Sequence, residues 1–259
     1  MKDIFITQQV NDAGCYAINL FLMGEKVKIV VDDRIPCYDE SIDPCFTRNK
    51  SNEIWCLLLE KAFAKLHGSY DNIIAGHTDQ ALTCLTGAPS VYYDHRTTPD
   101  VVDKLYEGEK KNYIMCASAA HKEGKMEDIG KNGIVSSHAY SVLSVHKITH
   151  PDDGRLRILK LRNPWGNTEW KGDWSDDSDK WTPELKAEVG FTEENDGTFF
   201  IAERDYKKFY CQSTICHMVD GNDHSSSRVT TAKGEAVLFK VTASEAQTDT
   251  MFILSQLAE

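Results

Sequence analysis

The chain has 259 residues, is 41% hydrophobic and 10% aromatic, and carries a formal net charge of −11. That is apolar material for one sizeable core or two lobes. The acidic balance, without a Lys/Arg cluster, excludes nucleic acid as an expected partner, and no apolar run approaches the roughly 20 residues that a membrane helix needs.

The opening stretch, MKDIFITQQVND, lacks the apolar centre of a signal peptide. The eight cysteines are scattered and form no CxxC pair, so reduced thiols in the cytoplasm are expected. Residues 16–33, YAINLFLMGEKVKIVVDD, read as two strands joined at Gly24, with Val27–Val31 β-branched enough for a buried strand. A polar, Pro-containing loop follows. NEIWCLLLEKAFAKLHGSY predicts a helix over 52–70: Ile54, Leu58, Leu59, Ala62, Phe63 and Leu66 recur at helical spacing, Asn52 can cap the start and Gly68 the end. A second short helix is expected at 78–86. TGAPS, 86–90, is a candidate boundary between lobes, giving a partial first lobe over 1–87 and a second lobe over 88–220.

Beyond it the pattern turns to strands, at 112–119, 138–149, 155–162, 197–202 and 211–218, with a helix near 99–106 and an exposed loop at 122–133. Residues 221–234 read as a linker, and 235–259 as the start of a truncated β-sandwich.

His138 opens one predicted strand in SHAYSVLSV, and Asn163 ends the next in RLRILKLRNPWG. Antiparallel neighbours put the start of one strand near the end of the next, so the two side chains can face each other. Histidine suits proton transfer at neutral pH. An Asn carbonyl oxygen can accept one ring N–H and leave the other nitrogen for a nucleophile. Trp165 could roof that bond. From the residues alone, a packed core histidine is the competing explanation of His138.

SHAYSVLSV, LKLRNPWGNTEWKGDWSDDSDKW and NDGTFFI together resemble the second catalytic lobe of calpains, which are calcium-dependent, papain-like cysteine endopeptidases. GEKVKIVVDDRIP and EIWCLLLEKAFAKLHGSY resemble the first-lobe hairpin and helix, so the likeness spans roughly residues 12–218. It implies an α+β, papain-like fold with an incomplete first lobe and a β-barrel-like second lobe. It further implies His138 as general base then acid, Asn163 as its orienter and Trp165 as its shield, with proteins as substrates. A regulatory subunit is not legible.

The family's nucleophile sits in a segment resembling Q-x-x-x-x-D-C-W, upstream of Gly14, which these residues do not include. Six cysteines precede His138. Cys56, near a helix start where the dipole could lower its pKa, is the best substitute, but a buried thiol is the plainer explanation. A Ser137–His138 pair is disfavoured, because adjacent strand residues point to opposite faces. The expectation is therefore no peptidase activity in this chain alone; the alternative is an inactive, calpain-like binding or regulatory protein.

The resemblance also implies calcium, bound in the second lobe by Glu169, Asp176 and Asp196, which would draw the lobes together. Thr198 stands where the family usually has an acid, which should weaken the site unless Glu194 compensates. Glu53 matches a first-lobe ligand whose partners lie outside this chain, and Asp177 and Asp179 read as solvated charges. The spacing is not that of an EF-hand. Trp170, Trp174 and Trp181 are expected to pack.

Overall fold

The structure, a computed structural model, describes residues 4–49, 51–121, 127–219, 221, 225–227, 229–230, 236–242 and 250–254. They fall into two compact units that divide between Pro89 and Ser90, the first also taking in the described residues beyond 222.

The first unit is built on a hairpin of β1, Cys15–Leu22, and β2, Glu25–Asp32. Met23 and Gly24 make a two-residue turn with φ of 52° and 82°, the left-handed pair that matches strand twist. Alternate residues Tyr16, Ile18 and Leu20 of β1 are buried, against Leu58 and Ala62 of helix α1, Trp55–His67, and Cys84 of α2, Thr78–Thr86. A short 3-10 turn, Asp71–Ile73, separates the helices. Helix α1 starts later than expected. Ile54 takes the capping position without a side-chain bond, and Asn52 does not cap. Instead Glu53 closes the entry, accepting from Ser51 Oγ (3.2 Å) and Trp55 Nε1 (3.3 Å). Gly68 ends the helix as expected, at φ 102°.

The second unit runs β3 (Ser90–Asp94), α3 (Val101–Lys110), β4 (Ile114–Ala119), β5 (Ala139–His150), β6 (Gly154–Arg162), α4 (Pro183–Val189), β7 (Thr198–Ala202), α5 (Glu203–Phe209) and β8 (Tyr210–Cys216). Its strands form one six-stranded sheet in the order β3-β8-β4-β5-β6-β7, with every neighbouring pair antiparallel. The sheet is buried on both faces, which explains continuous apolar runs such as FFI. Leu159, Leu161, Phe199 and Ile201 join the α3 side, while Ile158 and Phe200 join Trp174, Leu185 and Val189 on the α4 side. Each such fully buried side chain contributes roughly 1.5–3 kcal/mol of transfer free energy. Trp170 and Trp174 are buried and Trp181 packs on the α4-side core, as expected of them.

The described parts of the expected β-sandwich start, 236–242 and 250–254, form no strand; the remainder lies outside the described residues. The same holds for much of the expected linker. Of the exposed loop at 122–133, residues 122–126 lie outside the description.

Candidate active site

The β5–β6 register, with Ser141 opposite Arg162 and Val142 opposite Leu161, brings the start of β5 beside the end of β6. His138 enters β5 with its carbonyl accepting from the Ala119 N–H (2.9 Å), and Asn163 leaves β6 with its N–H donating to Gly197 O (2.8 Å). Both side chains are buried, Asn163 completely.

The carboxamide of Asn163 has a determined orientation. Its Nδ2 donates to the carbonyls of Asn167 (2.9 Å) and Thr168 (3.0 Å), so both amide hydrogens are taken. Its Oδ1 therefore accepts twice, from the Trp165 N–H (3.1 Å) and from His138 Nε2 (3.0 Å). This assigns a proton to Nε2 and turns Nδ1 to the other side of the ring, toward Glu127 Oε1 at 3.0 Å. The Trp165 ring meets the imidazole at 4.7 Å between centroids, tilted by 48°, and is itself 39% exposed. Tyr140 meets the imidazole edge-on at 5.2 Å, and its hydroxyl accepts from the buried Val135 N–H (2.8 Å). An imidazole with its tautomer set and one nitrogen free of the Asn amide can take and return a proton.

The carboxylates of the same unit are arranged differently. Burial, together with the charges of Glu169, Asp177, Glu193 and Asp196, pushes Asp176 up to about 6. Asp196 moves the other way: against a desolvation penalty, the Thr198 hydroxyl and amide lower it, the N–H donating to Oδ1 at 2.8 Å. Glu169 Oε1 accepts from the Gly197 N–H (2.8 Å). The acids are near enough to repel one another, yet among the described residues no three His, Cys, Asp or Glu side chains converge as a set that could hold a metal ion. Glu53 belongs to the first unit and is occupied by Ser51 and Trp55.

All eight cysteines are free thiols. Cys56 lies near the start of α1, but desolvation raises its pKa, so burial outweighs the helix-start effect there. Burial likewise raises Cys84 and Cys211, and takes Cys116 to about 11. Ser137 does not serve His138; its hydroxyl meets His121 Nδ1 at 2.9 Å. His95 is held by Ser213 Oγ at 2.8 Å.

Two residues at the site went unread in the sequence. Glu127 sat in a stretch read as exposed loop, and nothing in a lone acid there signals a histidine partner. Gly197 had a signal, the Asp-Gly pair of NDGTFF. It sits at φ +89°, and a Cβ there would come within 2.6 Å of Asn163 O and 2.9 Å of Gly166 Cα. Only glycine lets this loop lie against the Asn163 turn.

Residues 1–217 match the calpain family cysteine protease profile, so the chain belongs to that family. It is 35% identical to Calpain-A of Drosophila melanogaster over 216 residues, which are 80% of this chain and 26% of that protein. It is 33% identical to the calpain-type cysteine protease DEK1 of Zea mays over 228 residues, 84% of this chain and 10% of that protein. With human Calpain-8 the identity is 33% over 222 residues, 81% of this chain and 30% of that protein. The chain thus spans less than a third of the length of these relatives. The fold is the α+β, papain-like one that the resemblance implied. Among the described residues no helix is long and apolar enough to cross a membrane.

Proposed function

We propose that this chain carries the His–Asn part of a calpain-type, calcium-dependent cysteine endopeptidase that cleaves proteins in the cytoplasm, where eight free thiols would persist. His138 is the base that takes the proton of a cysteine thiol and the acid that returns it to the leaving amine. Asn163 holds the ring in the Nε2–H tautomer, and Trp165 keeps water from that bond. The observation that supports this most is the His138 Nε2–Asn163 Oδ1 contact of 3.0 Å, with the amide orientation fixed by two further carbonyls. The thiol itself comes from outside these 259 residues. In favour of this, burial raises the pKa of Cys56, Cys84, Cys116 and Cys211, the opposite of what a nucleophile needs.

Calcium is proposed at Glu169, Asp176 and Asp196, with Thr198 as a neutral oxygen. Hard carboxylate donors suit that ion, and calcium bound there would supply the positive charge that offsets the repulsion acting on Asp176. Glu169 and Asp196 each still have a second carboxylate oxygen beyond the one engaged by a backbone N–H.

A longer chain that adds the family's glutamine- and cysteine-bearing segment should cut casein when calcium is present and stop when iodoacetamide is added. The 259-residue chain should not cut. Calcium-stimulated, iodoacetamide-sensitive cleavage by the 259-residue chain alone would overturn the placement of the thiol. No cleavage by the longer chain would favour the non-enzymatic alternative, a calpain-like binding protein.

A further inference from the structure

The nitrogen of His138 that a thiol would need is already taken. Nδ1 lies 3.0 Å from Glu127 Oε1. Asn163 cannot supply a proton to the ring, because both hydrogens of its amide point at the carbonyls of Asn167 and Thr168. The ring must therefore donate from Nε2, which would leave a neutral imidazole bare at Nδ1. A bare nitrogen and a carboxylate are both acceptors and would repel at this distance. The contact needs one more proton, and an imidazolium–carboxylate pair supplies it with a charge-assisted bond.

Glu127 is not carried on an untethered side loop. Its N–H donates to Ser136 O (3.1 Å), Asp128 N donates to Ser136 Oγ (3.2 Å), and Ser136 N returns a bond to Asp128 O (3.0 Å). Ile129 bridges Val135, and Gly130 N donates to Ile134 O (2.9 Å). This small ladder runs directly into His138, so the positions of residues 127 and 138 are fixed together. Gly133 locks the ladder's far end against the 169–171 segment: a Cβ there would fall 1.8 Å from Glu169 O, and Asn132 O accepts from Lys171 N at 3.0 Å. The other groups facing the ring are Asn163, Tyr140 and Trp165, none of which carries charge near neutral pH; burial takes the Tyr140 hydroxyl up to about 12.

We propose that Glu127 is a positioning residue that guards the nucleophile side of His138: its carboxylate holds the Nδ1 proton, so that an incoming sulfur reaches the ring only by displacing the carboxylate, either as a thiolate that pairs with the imidazolium or as a thiol once the departing carboxylate or water has carried the Nδ1 proton away. Resting on the roles proposed for His138 and Asn163, this makes the contact a built-in restraint on the base. Glu127 is 48% exposed on its side chain, so the restraint is a weak, reversible one of the kind a competing ion pair can replace.

The test is a long-range proton–nitrogen NMR spectrum of the 259-residue chain with nitrogen-15-labelled histidine at pH 7, in the wild type, Glu127→Gln and Glu127→Asp. In the wild type both ring nitrogens of His138 should carry protons. In Glu127→Gln the Nδ1–H signal should be lost while Nε2–H remains. In Glu127→Asp, one methylene shorter, Nδ1–H should persist but exchange with water about ten-fold faster, as a lengthened charge-assisted bond predicts. Unchanged backbone amide signals away from 127–138 check that each variant folds. A bare Nδ1 in the wild type, or an Nδ1–H that survives Glu127→Gln with unchanged exchange, overturns the role of Glu127 and leaves the His–Asn pair intact. A bare Nε2 with a protonated Nδ1 in the wild type overturns the Asn163 assignment too, and so separates the two failures.

Discussion

The second unit holds two polar sites built on opposite principles. Around Asn163 every donor and acceptor of the amide has a partner, and the side chain is fully buried. Around Asp176 the same unit gathers carboxylates whose charges, with burial, raise the pKa of Asp176, while Glu169 and Asp196 lean on backbone amides instead of on a common centre. A site made of hydrogen bonds is complete once the backbone is placed, because each partner is a fixed group of the chain. A site made of like charges is complete only with a counter-charge, and until then it opposes folding.

The largest effect should come from breaking the first site. Asn163→Ala leaves the carbonyls of Asn167 and Thr168, the Trp165 N–H and the buried His138 ring without their partner, and should lower the unfolding free energy by about 3 kcal/mol, seen as a fall in the urea midpoint. Gly197→Ala should follow at about 2 kcal/mol, from a positive φ and a backbone clash. Because Gly197 joins the Asn163 turn to Glu169, it should disturb both sites at once, and calcium binding measured by calorimetry should weaken in the same variant.

The second site should respond with the opposite sign. Asp176→Asn in calcium-free buffer should raise stability by about 1 kcal/mol, the full shift being discounted for partial exposure. The same change should abolish any calcium-induced rise in melting temperature. Thr198→Asp should make that rise larger.

The smallest effect is a pH dependence. Desolvation lowers the pKa of His95, His146 and His217, so these histidines are neutral in the fold and take up protons more readily when unfolded. Their contribution is present above about 6.5 and is lost as pH falls toward their depressed folded values. Asp176 works against them: its folded value of about 6 exceeds the 3.8 of a free aspartate, so its unfavourable charge is relieved as pH falls through 6. Melting temperature should therefore fall more steeply from pH 7 to pH 5 in Asp176→Asn, where the offset is gone, than in the wild type.

Which parts were legible in the sequence follows from the same physics. The hairpin, α1, α2 and most strands of the sheet carry periodicities that survive burial, and the facing of His138 and Asn163 follows from antiparallel pairing of two readable strands. Helix α4 was legible but unread: Thr182 caps it by accepting from Leu185 N (3.2 Å), Pro183 starts it and Gly190 ends it at φ 64°. Helix α5 is seven residues wedged directly between β7 and β8, with acids in its first turn and lysines in its last, too short to show an apolar stripe. Strand β3 is five residues, four of them partly buried and Tyr92 exposed, and among the described residues it pairs with β8, far away in sequence. Glu127 was beyond reach for another reason. Its partner is set by a ladder of local bonds, and no spacing rule records which way a loop acid turns.

The most direct measurement compares casein cleavage by the thiol-bearing, longer form of the protein with His138 intact and with His138→Ala, at saturating calcium. A base held by Asn163 predicts a loss of about 10²–10⁴-fold in kcat with KM little changed. A variant that still cleaves within a few-fold of the parent would contradict it.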